Sequence, residues 1–127
     1  MSFNTNDILY GKLRPNLNKV CLVDFDGICS TDILVFRIKK DSALSIYYKY
    51  YFLSNMFNDK VLQTVSGQQL PRTSWGKIAT IKIPLPPLDK QKEIVAFCEK
   101  QEEKIKQAQS IIDNAQERKN EILKKHL

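Results

Sequence analysis

The sequence is short of the residues on which most catalytic centres are built. In 127 residues there is one histidine, His126, at the second-last position. That excludes Ser-His-Asp triads and histidine-rich zinc sites. The three cysteines, Cys21, Cys29 and Cys98, are odd in number and form no CxxC pair. Neither a disulfide framework nor a zinc knuckle is expected, and buried, reduced thiols are. Only four glycines and five prolines accompany 43% hydrophobic residues, which excludes a disordered or collagen-like chain. Apolar runs are only a few residues long, so no membrane span is expected. The opening Met1 to Asp7 has neither the basic nor the apolar region of a signal peptide, which makes the cytoplasm the expected location. There is no GxGxxG and no GxxxxGK[ST]. Leu85-Pro86-Pro87-Leu88 lacks the preceding Asn or Asp and the following aromatic of an amino-methyltransferase motif. The chain is expected to bind rather than catalyse, with no metal and no cofactor of its own.

What is present divides unevenly. Residues 1–88 contain eleven of the twelve aromatics, eleven Lys or Arg, six Asp and no Glu. Residues 89–127 contain nine Lys or Arg against eight Asp or Glu, with no Gly and no Pro. The surplus of the +6 formal charge therefore lies on the aromatic-rich part. The division gives two domains, 1–88 and 89–127.

The second part reads as one long helix. Asp89 is a good N-cap, placed just after Pro84, Pro86 and Pro87, which keep the chain before it extended. Steps of four and three then pick out Ile94, Cys98, Gln101, Ile105, Ala108, Ile112, Ala115, Lys119, Ile122 and His126, a heptad pattern. About 38 helical residues span roughly 57 Å. A body of 88 residues is only about 30 Å across, so it cannot cover such a stripe. The uncovered length calls for a partner. Gln101, Lys119 and His126 in the seam suit a register-specific or antiparallel pairing. The expected interface is Ile94, Cys98, Gln101, Ile105, Ala108, Ile112, Ala115 and Ile122.

The first part reads as mixed α and β, so the expected fold class is α+β: a small α/β globule followed by one long coiled-coil helix. Asp7-Ile8-Leu9-Tyr10, Lys19 to Val23 and Ile33 to Ile38 have strand character. Asp24-Phe25-Asp26-Gly27 reads as a hairpin turn between the last two, with Gly27 supplying a positive φ. Asp24-x-Asp26-Gly27 also matches a fragment of a calcium loop, but the remaining ligands are absent. Ser42 to about Thr64 shows helical spacing, with Leu44, Tyr47, Tyr48, Tyr51, Phe52 and Met56 as a core stripe. Ile78 to Ile83 alternates like a final strand.

Two loops concentrate groups able to read DNA. Gly11 to Lys19 offers Lys12, Arg14, Asn16, Asn18 and Lys19 around Pro15. Ser66 to Trp75 offers Gln68, Gln69, Arg72 and Ser74 around Pro71. Arg can donate two hydrogen bonds to guanine, Gln or Asn can bracket adenine, and Lys, Ser or Thr can hold phosphates. Such residues are also ordinary in turns, and composition alone leaves that alternative open. Trp75 fits a packing anchor better than a base stacker.

Four segments resemble type I restriction-modification specificity subunits. They are Asp7-Ile8-Leu9-Tyr10-Gly11-Lys12-Leu13-Arg14-Pro15, Gly27-Ile28-Cys29-Ser30, Gly67-Gln68-Gln69-Leu70-Pro71-Arg72, and Ile81-x-Ile83-Pro84-Leu85-Pro86-Pro87-Leu88-x-x-Gln91-x-x-Ile94-Val95. The resemblance implies a non-catalytic subunit whose target recognition domain reads one half of a bipartite site in double-stranded DNA. It implies a spacer helix that packs antiparallel to a second one. Modification (methyltransferase) subunits and then restriction subunits would dock on this frame. S-adenosylmethionine, Mg and ATP would belong to those partners. Family members usually have two recognition domains and two helices; this chain has one of each, and its recognition domain begins late. Two functions are therefore expected to compete: a DNA-recognition half-subunit that homodimerises through its helix, and a protein-interaction module without DNA specificity of its own.

Overall fold

A computed structural model describes residues 1–65 and 72–126. The fold is α+β. Two compact units divide the chain, Met1–Lys92 and Glu93–Leu127.

In the first unit the elements run β1 (Ser2–Phe3), β2 (Ile8–Gly11), a 3-10 turn (Pro15–Leu17), β3 (Val20–Leu22), β4 (Gly27–Ile28), β5 (Ile33–Phe36), α1 (Ser45–Leu53), α2 (Asn55–Thr64) and α3 (Trp75–Ile78). The fourth helix, α4 (Leu88–His126), starts in this unit and supplies the second. β2 is the centre of an antiparallel sheet of order β3-β2-β5, and β1 pairs with β4 in a separate two-stranded ribbon.

Alternation along β2 decides which face is buried. Ile8 and Tyr10 are fully buried, and Leu34 and Phe36 opposite them are buried. Their rings meet those of the helices: Tyr10 lies 6.1 Å from Phe57, and Phe36 lies 5.1 Å from Phe52. Burial pushes the Tyr10 phenol up to about 12. The opposite face carries Leu9, Cys21 and Val35, none of them buried.

Several expectations are corrected. Lys19–Val23 and Ile33–Ile38 do not form a hairpin, because β2 lies between their strands and pairs with both. The intervening turn instead ties down the N-terminus: Asp26 Oδ1 accepts from Thr5 N at 2.7 Å and from Thr5 Oγ1 at 3.2 Å. Gly27 has no positive φ; it is needed because a Cβ there would come within 2.7 Å of the Phe3 ring. The expected helix from Ser42 is two helices. The backbone turns extended at Ser54, whose Oγ accepts from Phe57 N and caps α2. The break resets the phase and leaves Met56 exposed. Ile78–Ile83 is no strand: α3 ends at Ile78 and the following residues pair with no strand among those described. The cysteines are unbonded as expected but not buried, and Cys21 is exposed.

One ion pair anchors the start of the sheet. Arg37 donates from Nε and Nη2 to the two Asp7 oxygens at 3.0 and 2.8 Å, and Asn4 N donates to the same carboxylate at 2.7 Å. The Arg37 guanidinium holds the Asp7 carboxyl below its ordinary 3.8, against the opposing effect of burial. Charge on Asp7 therefore stabilises the fold at neutral pH. That contribution is lost as pH falls through the lowered value. Asp7→Asn should cost about 2 kcal/mol at pH 7. Urea titrations across pH should show the difference from the parent closing once the pH is well below 3.8.

Candidate nucleic-acid interface

The two polar loops, far apart in sequence, are neighbours in space. Leu13 pairs with Arg72 in an isolated antiparallel bridge. Thr73 N donates to Lys12 O at 3.0 Å, and Lys12 N donates to Asp32 O at 2.9 Å. Lys12, Arg14 and Arg72 thus arise from one small region of backbone. Both arginines are exposed, and Lys12 is partly so.

The first loop has a fixed shape. Arg14 (φ 52°) and Asn18 (φ 51°) bracket the Pro15–Leu17 turn in left-handed conformations. Asn accepts that region readily, whereas an arginine there is strained, and such strain gathers at functional sites. Pro15 is buried at the base, and Asn16 is exposed at the tip. Asn18 is turned inward: its Nδ2 donates to Leu53 O at 3.0 Å, which fixes the loop to the end of α1. Lys19 is exposed, and its aliphatic stem crosses Gly11 so closely that a Cβ there would lie 3.1 Å from Lys19 Cε.

The second loop contributes Arg72 and Ser74, while Gln68 and Gln69 lie outside the described residues. Ser74 caps α3, its Oγ accepting from Lys77 N. Arg72 Nη2 lies 3.5 Å from Asp32 Oδ1, both side chains about half exposed. An exposed pair of this length contributes little to stability, so Arg72 can exchange Asp32 for another anion at small cost. Asp32 was not among the expected site residues, and nothing local in the sequence points to it. The loops therefore bring together Lys12, Arg14 and Arg72, with Asn16 and Lys19 on the same loop as Arg14. Asn18 and Ser74 spend their side chains on backbone.

A second missed residue lies within this unit, where the long helix begins. Gln91 is completely buried. Its Nε2 donates to Ser42 O and Pro86 O, each at 2.8 Å, and its Oε1 accepts from Leu44 N at 2.9 Å. Tyr48 adds a hydroxyl bond to Pro84 O at 2.8 Å. The helix begins at Leu88, so Asp89 lies in its first turn rather than capping it, where a carboxylate still complements the helix dipole. The Pro87 carbonyl receives the first helical bond, from Gln91 N at 3.0 Å. Position 91 belonged to the motif Leu88-x-x-Gln91, but nothing in its spacing revealed three bonds.

On α4 itself, Ile94, Cys98, Gln101, Ile105, Ala108, Ile112, Ala115 and Ile122 fall on one face by register, and Ile105, Ile112 and Ile122 are exposed. Among the described residues no helix is long and apolar enough to cross a membrane.

With this geometry in place, the comparisons with known proteins agree. The chain belongs to the type I restriction modification DNA specificity domain family, which it matches over residues 1–123. It is 36% identical over 97 residues to the type I restriction enzyme EcoDI specificity subunit of Escherichia coli, covering 76% of this chain and 21% of that subunit. It also superposes on a chain of a solved structure titled for complex assembly and conformational transition of the type I R-M system. There the TM-score is 0.79 at 27% identity, covering 91% of this chain and 31% of that one. The chain thus spans well under half the length of either relative.

Replacing Gln91 by Leu keeps the volume but orphans Leu44 N–H and two carbonyls. Gln91→Leu should lower unfolding free energy by about 2–4 kcal/mol. A urea midpoint that falls with unchanged slope would register it.

Proposed function

We propose that this chain is a DNA-recognition half-subunit of a type I restriction-modification system. Its first unit holds one half of a bipartite double-stranded site, and its helix pairs antiparallel with that of a second copy. The observation that carries the reading is the Leu13–Arg72 pairing, which brings the backbone of Lys12 to Arg14 beside that of Arg72 in the unit that bears the surplus positive charge. The family supports it, since its description is that of a DNA specificity domain.

In this reading Lys12 and Lys19 hold phosphates, which position the protein without reading sequence. Arg14, Asn16 and Arg72 present the side-chain types that can address guanine and adenine edges in the major groove. Arg72 leaves Asp32 as it meets DNA. The subunit is non-catalytic and works in the cytoplasm. Modification subunits, with restriction subunits after them, dock on the helix-linked frame and bring the S-adenosylmethionine, Mg and ATP chemistry.

The electrostatic part is tested by titrating salt against affinity for a short duplex. Two phosphate-directed lysines should give a slope of log K against log salt of about −2. Lys12→Ala and Lys19→Ala should each flatten it by about 1, whereas Arg14→Ala and Arg72→Ala should relax sequence preference. A flat response in the parent protein overturns DNA recognition and leaves only an assembly module.

The helix is tested separately. Ile105→Asp with Ile112→Asp places two carboxylates in the seam, where burial costs several kcal/mol. Sedimentation should show a parent dimer and a monomeric variant. A variant that still assembles would place the interface elsewhere.

A further inference from the structure

The sheet of the first unit has an open edge at β5. Lys12 N donates to Asp32 O, and the same register carries the β2–β5 bonds through Leu34 and Phe36. Antiparallel pairs alternate between bonded and non-bonded. Val35, opposite Leu9, therefore directs its N–H and C=O away from β2, and among the described residues they have no partner.

A cleft of about 650 Å³ runs along this edge. Leu34, Val35 and Phe36 all line it, and consecutive strand residues point to opposite faces, so its wall is the backbone edge itself. The lining also includes Ile81 and Ile83, and Trp75 lies on it with 60% of its surface exposed. Ile81-x-Ile83 has the alternation of a strand, yet it is paired with no strand among the described residues. Two strand-like segments thus border one apolar space. An exposed edge of this kind is a template for another strand.

Charge narrows the occupant. The lining includes Arg37 and Lys39 and no carboxylate, and past β5 the groove continues between Lys39, Lys40 and Leu85, again without one. Arg37 is already committed to Asp7, which leaves the lysines to meet an anion. Residues 1–88 carry eleven Lys or Arg against six Asp, so a second copy brings charge of the same sign and is a poor match.

We propose that this cleft is a β-augmentation site. It takes an extended segment of a different polypeptide, apolar at alternate positions and acidic at its flank, which bonds to Val35 on one side and lies against Ile81 and Ile83 on the other. Main-chain bonds provide the affinity in such a mode and alternate pockets the selectivity. The site is independent of DNA contact by Lys12, Arg14 and Arg72.

The test uses the full chain and a synthetic peptide, acetyl-Glu-Val-Thr-Ile-Thr-Val-Glu-amide. Trp75 is the sole tryptophan, so its emission reports the cleft directly. The peptide should shift that emission to the blue and slow exchange of the Val35 amide at least tenfold. Replacing both Glu by Lys should weaken binding at least tenfold at low salt. N-methylation of the three central residues, which removes their donors at little cost in apolar surface, should abolish it. Absence of any change at Trp75 and Val35 overturns the proposal. So does equal binding of the N-methylated peptide, which would make the cleft an apolar patch without strand pairing. Equal binding of the Lys peptide would overturn the acidic occupant. Val35 protection that rises with protein concentration alone would assign the edge to a second copy. A duplex oligonucleotide shifting Trp75 where the peptide does not would assign it to DNA.

Discussion

The fold turns on one buried amide. Gln91 stands in the first turn of the long helix, where the 42–44 segment and the proline run converge on it, and its side chain bonds to both. Prolines have no N–H and cannot zip such a junction together by ladder bonds. A side chain able both to donate twice and to accept is what the site demands. A glutamate would lack the donors, and an apolar residue would lack everything. The first compact unit accordingly includes the first turn of the long helix and closes at Lys92.

A similar economy governs the polar surface. Of the residues whose chemistry suggested nucleic-acid contact, two are spent on holding loops in shape: Asn18 on the carbonyl of Leu53, and Ser74 on the first turn of α3. The cations left facing outward are held by backbone, through the Leu13–Arg72 bridge and the bonds of Lys12. Side-chain type alone does not separate these roles. A turn amide and a base-reading amide are the same group in different company.

This limit also explains what was legible in the sequence. The long helix was visible because its period persists across several heptads, and β2 because alternation buries Ile8 and Tyr10. The aromatic stripe of α1 was visible as core for the same reason. Elements of two residues, such as β1 and β4, are too short to carry a period. The strand order was hidden because β2 inserts between β3 and β5, a choice made by packing against Phe52 and Phe57 rather than by the Asp24–Gly27 turn. The break at Ser54 was a single cap inside a continuous apolar pattern. Ile81-x-Ile83 carries strand alternation without a strand beside it, so pattern and pairing disagree there. The meeting of the two loops rests on a pairing between positions 13 and 72, which no local rule reports.

The bracketing of the Pro15–Leu17 turn by two left-handed residues has a consequence for how this surface can diversify. A tip held in shape by Pro15, by the backbone of Arg14 and by the inward-turned Asn18 has lost its freedom when the chain folds, not when it meets a ligand. The identity of the side chain at position 16 is then decoupled from the geometry that presents it. In the proposed reading, exchange at this exposed position would alter what is bound while the presenting framework stays the same, so new preferences would be reachable by single steps without passing through a misfolded intermediate.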